Sequence, residues 1–76
     1  MREYLKRARE RSGLTQQCVA EQIGMSQNYY CDIENYVRQK ELRAGVLSKL
    51  SEVLDISIET MMEEEKKLAR KERVHE

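Results

Sequence analysis

Apolar residues recur at helical spacing in five stretches of the chain, with short polar turns between them. Over residues 2–11, Tyr4, Leu5 and Ala8 form an inner face, while Arg2, Lys6, Arg7 and Arg11 fall on the solvated side. Gly13 closes this first helix, and Leu14 enters the core from the connection. Thr15 caps a second helix whose first turn holds Gln16 and Gln17 and whose apolar face is Val19, Ala20 and Ile23. Gly24 stands where that helix must end, because a residue without Cβ turns left-handed at no steric cost. Ser26 caps a third helix over residues 27–35, and Met25, Tyr30 and Ile33 pack against the second. Residues 36–42 lack a sustained period and read as a loop anchored by Leu42. Val46, Leu47, Leu50, Val53 and Leu54 then make one continuous stripe, the clearest in the chain, which must be a core wall. Ser57 caps a fifth helix burying Ile58 and Met61, with Met62 as a further candidate. The stripe stops at Glu65, which falls where the next apolar residue should be.

The pattern predicts an all-α domain over residues 1–62, followed by a charged helical extension over 63–76. The extension is rich in helix formers and has spacings for Glu63–Lys67 and Glu64–Lys67 pairs. It reads as a solvated tail; the alternative is a dimer contact through Met61 and Leu68, with Met62 and Ala69 as further candidates. Within the domain, residues 16–35 run apolar, small, apolar, Gly, apolar, then two further apolar residues in register. Ala20 is the small residue that two steeply crossing helices need at their closest approach. This is the pattern of a helix-turn-helix, whose second helix is free to enter a DNA major groove.

Composition changes the picture little. Charged residues make up 37% of the chain, but 14 basic residues balance 14 acidic ones, so net charge does not announce a nucleic-acid partner. The distribution is mildly asymmetric, with eight basic against six acidic residues up to Arg43 and six against eight beyond it. Seventy-six residues allow one modest core and leave no room for an effector domain. Cys18 and Cys31 have twelve residues between them, and the sole histidine is His75, which is not a zinc set. The opening MREYLKRARER has no apolar signal segment, and no later run suits a membrane span. These features point to a cytoplasmic protein with reduced thiols, no cofactor and no evident small-molecule site. With no Gly-rich phosphate loop and no nucleophile beside a base, an enzyme is the weakest reading.

The segment LKRARERSGLTQQCVAEQIGMSQNYYCDIEN, residues 5–35, closely resembles the Cro/repressor-type, XRE-like helix-turn-helix family, and the similarity continues through VLDISIETMM. Its specific pieces are Gly13-Leu14-Thr15-Gln16, Val19-Ala20-Glu21, Ile23-Gly24, Ser26-Gln27 and Ile33-Glu34-Asn35. The resemblance implies a compact five-helix, lambda-repressor-like DNA-binding domain. It further implies a transcriptional regulator, a repressor by preference, working as a homodimer on an inverted repeat of double-stranded DNA. By position, Gln27 and Asn28 would reach base edges, with Asp32 one turn further along. Gln16 would contact the DNA backbone or buttress Gln27, and Asn35, Arg38, Lys40 and Arg43 would hold phosphates. Arg9 and Glu34 would form a partly buried ion pair orienting the third helix.

The residue chemistry agrees at the front of that helix, where amides donate and accept together and so match the N6/N7 edge of adenine. The helical period turns Tyr30 inward and leaves Tyr29 near the groove, as a phosphate donor or thymine-methyl contact. Asp32 faces phosphates unfavourably unless it accepts from cytosine or pairs with a cation. Two positions depart from the family, which commonly has Gly after Glu-Asn and Pro a few residues later; here they hold Tyr36 and Lys40. The alternative function is a protein-interaction module, such as an antitoxin or antirepressor, with DNA binding secondary. Its supports are the acidic run Glu63 to Glu65 and the amphipathic remnant around Leu68.

Overall fold

Four of the helix ends are closed by one device. The computed structural model describes residues 1–74, with side chains to residue 71; His75 and Glu76, at the end of the expected extension, lie outside the described residues. Within them are α1 (Glu3–Arg11), α2 (Gln16–Gln22), α3 (Gln27–Glu34), α4 (Ala44–Leu54) and α5 (Ile58–Val74), with no strand. After each of the first four helices one residue turns left-handed: Gly13 (φ 71), Gly24 (φ 73), Tyr36 (φ 64) and Asp55 (φ 53). The next amide then donates back five residues, as in Leu14 N to Arg9 O (3.0 Å), Met25 N to Ala20 O (3.0 Å), Val37 N to Asp32 O (2.9 Å) and Ile56 N to Ser51 O (3.1 Å). Each closure satisfies carbonyls that the helix end would otherwise leave without donors. The starts of α2 and α3 are held by Thr15 Oγ1, which accepts from Cys18 N, and Ser26 Oγ, which accepts from Tyr29 N, both at 3.1 Å.

All five helices contribute to one core, built on Leu5, Ala8, Val19, Ala20, Ile23, Tyr30, Ile33, Leu50, Leu54 and Met61. The expected all-α, five-helix architecture is therefore present, and the α4 stripe is its wall, with Leu50 and Leu54 fully enclosed. Three details differ from expectation. Arg2 is not solvated; it precedes α1 and is wholly buried. Ile58 and Met62 are exposed rather than enclosed, because the inward face of α5 descends through Met61 to Glu65. Glu65 does not end the packed face, since its carboxylate is held inside by Arg2 and Tyr4, and α5 continues to Val74. Met61, fully buried, is not available for the alternative dimer contact. Among the described residues no helix is long and apolar enough to cross a membrane.

Candidate nucleic-acid interface

Gln27 and Asn28 occupy the first two positions of α3 and are exposed, while Tyr30, Ile33 and Glu34 fix the opposite face in the core. Asn28 and Asp32, four residues apart, share the outer side. The amides thus project from a rigid, capped helix start, which is the end from which a recognition helix meets base edges.

Behind α3, Glu34 is 1% exposed and accepts from Arg9 through both oxygens, Nε and Nη2 each at 3.0 Å. Arg9 Nη1 also donates to Leu14 O (3.1 Å), so one guanidinium ties α1, the turn after it and the end of α3. Burial alone would raise the Glu34 carboxyl, but the hydrogen bonds from Arg9 and Gln16 outweigh it and hold the group below the usual carboxylate range. The same pair pushes Arg9 above its ordinary value. Burial, followed by the nearby Glu34 charge, pushes the Tyr30 phenol above its usual range. Gln16 is half-buried, and its Nε2 donates to Glu34 Oε1 at 3.2 Å. The short amide is drawn inward because Glu34 has a lone pair to spare beyond its bidentate arginine.

Beyond α3 the loop is held by Arg2. Its backbone N donates to Glu34 O (2.7 Å), its Nη1 to Ile33 O (2.6 Å) and Arg38 O (3.3 Å), and its Nη2 to Gln39 O. Nε and Nη2 also meet Glu65 at 2.9 and 3.0 Å, so all five guanidinium N–H groups are engaged. The Arg2 guanidinium lies over the Tyr36 ring at 4.9 Å, and Lys40 Nζ over the same ring at 5.3 Å. Tyr36, standing where the family commonly has Gly, adopts the left-handed conformation with its ring against these cations. Tyr4 donates its hydroxyl to Glu65, and burial followed by that hydrogen bond raises its phenol above the usual range. Arg2, Glu65 and Gln39 were not among the expected site residues. A carboxylate at an inward helical position, with a cation near the other end of the chain, was the available signal.

The other expected contacts are placed as follows. Arg38 lies over the Tyr29 ring at 4.6 Å and pairs with Asp32 at 3.3 Å, and Gln39 Nε2 donates to the Tyr29 hydroxyl at 2.9 Å. Asn35 is exposed, and its Nδ2 donates to Cys31 Sγ at 3.4 Å. Lys40 and Arg43 are exposed, Arg43 just ahead of α4 with its backbone N on Gln39 Oε1 (3.2 Å). Cys18 and Cys31 are free thiols, and among the described residues no cluster of His, Cys, Asp and Glu is arranged to hold a metal.

A capped helix crossing behind a second one, with exposed amides leading, defines a helix-turn-helix domain of the DNA-binding kind. Residues 5–61, three quarters of the chain, match the helix-turn-helix family, and the protein belongs to it, in its Cro/repressor-type, XRE-like branch. The family consists of DNA-binding regulators of transcription rather than enzymes, and this chain is a DNA-binding transcriptional regulator by that membership. Comparison with curated proteins and with solved structures gave no match.

Proposed function

We propose that the protein is a repressor that occupies an inverted-repeat operator as a homodimer. The observation that carries this is the front of α3, where Gln27 and Asn28 stand exposed on a helix whose other side is locked by Arg9 and Glu34. Gln27, Asn28 and Tyr29 face the bases, and Asn35, Lys40 and Arg43 contribute phosphate contacts. A single module of this kind contacts only about 600–1,000 Å² of DNA, so useful specificity calls for two copies. The molecule measures 36 × 24 × 22 Å, so two copies with their long axes along the DNA and reading helices one turn apart, about 34 Å, would touch.

The surface that suits this contact is an open groove of about 380 Å³ between the loop, α4 and α5, whose apolar lining includes Leu42, Leu47, Met62 and Ala69. Along the same side of α5, exposed Glu59 and Glu63 precede exposed Lys66 and Arg70. Two such helices paired antiparallel about a two-fold axis set acidic half against basic half. The groove also suits a helix of a different protein, the feature that favours the antitoxin or antirepressor reading. Selection of bound duplexes from a random DNA pool, at two salt concentrations, separates the two. An enriched inverted repeat is the expected outcome; weak binding erased by salt, without a consensus, would transfer the primary role to the groove.

A further inference from the structure

We propose that Arg38 reads a base rather than a phosphate: its guanidinium, stacked on Tyr29 and braced by Asp32, takes a guanine one to two base pairs beyond the base met by Asn28. This rests on the orientation of α3 on DNA proposed above. The backbone of residue 38 is fixed against the helix, because Asp32 O accepts from both Val37 N (2.9 Å) and Arg38 N (3.2 Å). The side chain folds back over the same turn. Nη2 donates to Asp32 Oδ2 at 3.3 Å, and the guanidinium carbon lies 4.6 Å from the Tyr29 ring centroid. The ring is itself held by Gln39, whose Nε2 donates to the phenol oxygen at 2.9 Å. Arg38 nevertheless remains 52% exposed, so donors not used by Asp32 are open to solvent, and Asp32 itself lies four residues from Asn28 on the same side of α3.

Charge separates the two roles. A phosphate contact works through net positive charge and counterion release, and Asp32 cancels the charge of Arg38 while presenting a carboxylate that phosphates repel. A guanine edge offers two neutral acceptors, O6 and N7, matched by the planar fork of a guanidinium. A carboxylate behind the fork does not oppose that contact, and stacking on Tyr29 fixes the plane before DNA arrives. Asp32 lies four residues past Asn28, about 6 Å along the axis, against a base-pair rise of about 3.4 Å. That offset places the guanine.

The test is selection from the random pool with the wild type, Arg38→Ala, Arg38→Lys and Asp32→Asn, with far-UV circular dichroism as the fold control. The wild-type consensus should carry guanine at one position in each half-site. Arg38→Ala should lower that preference by roughly tenfold to a hundredfold and leave the other positions and the salt slope unchanged. Arg38→Lys should not restore it, because an ammonium cannot match both acceptors. Asp32→Asn should give an intermediate preference. If Arg38→Ala instead weakens all sequences alike and lowers the salt slope by about one contact, Arg38 holds a phosphate and the proposal is wrong. A wild-type selection with no consensus at all overturns the operator reading itself, and the assignment of Arg38 with it.

Discussion

Arg2→Met removes five donors from an enclosed site while keeping most of the apolar stem. Arg2 is 0% exposed, and two of its N–H groups meet Glu65, whose side chain is 17% exposed. Leaving that carboxylate without its cation should cost about 3–5 kcal/mol, the usual range for breaking a buried pair. The carbonyls of Ile33, Arg38 and Gln39 also lose a donor. Two of them belong to the loop at the surface, where water can replace the guanidinium, so together they add only about 1 kcal/mol. The sum, about 4–6 kcal/mol, is comparable to the whole stability of a domain this size, about 4–11 kcal/mol at typical values per residue.

Urea unfolding followed by circular dichroism should therefore show a sharply lowered midpoint with unchanged slope. Arg2→Lys keeps the charge but has three donors for five acceptors, and should lose about 2 kcal/mol. Glu65→Gln in the Arg2→Met background should cost little more than Arg2→Met alone, a coupling of at least about 1.5 kcal/mol. A loss below about 1 kcal/mol for Arg2→Met, or a coupling near zero, would refute the view that this arginine joins α1, the loop and α5.

Asp55 is exposed and left-handed at the end of α4, so Asp55→Gly should relieve about 1 kcal/mol of strain and raise the melting temperature by several degrees; no rise would mean the turn is unstrained. The Glu34 carboxyl sits below its ordinary 4.5 in the folded protein, so its contribution is complete above that pH and is lost as pH falls through the lower folded value. Glu34→Gln should be less stable than wild type at pH 7, and the gap should narrow on acidification below 4.5 as wild type loses the pair. A gap that stays constant with pH would show that the carboxylate does not supply it. Arg43→Ala should weaken binding to all duplexes together and lower the salt slope by about one; a change confined to one base position would reassign Arg43.

The architecture was legible where period and capping agree. Gly13, Gly24, Thr15 and Ser26 mark turns by local chemistry that does not depend on distant partners, and the α4 stripe needs only its own spacing. The inward pairing of Arg9 with Glu34 was accessible through resemblance, since its two halves are twenty-five residues apart. Arg2 and Glu65 were not, because each is a charged residue that hydropathy assigns to solvent, and their burial becomes favourable only when both arrive together. Gln16 shows the same limit on a smaller scale: an exposed-looking amide at a helix start is drawn to a carboxylate eighteen residues away. Tyr36 carried a signal of the opposite kind. A bulky residue where the chain must turn left-handed implies a compensating contact, and the stacked guanidinium of Arg2 supplies it.

The central claim is that the front of α3 distinguishes one DNA sequence from another. The most direct measurement is the ratio of affinities for the selected operator and a scrambled duplex, at one fixed salt concentration, for wild type and Gln27→Ala/Asn28→Ala. Both side chains are exposed, so the double variant should fold as the wild type does. With two amide contacts per half-site, each worth about 1–3 kcal/mol, the ratio should fall at least a hundredfold while affinity for the scrambled duplex stays nearly constant. An unchanged ratio would contradict the account and place the reading surface elsewhere on the molecule.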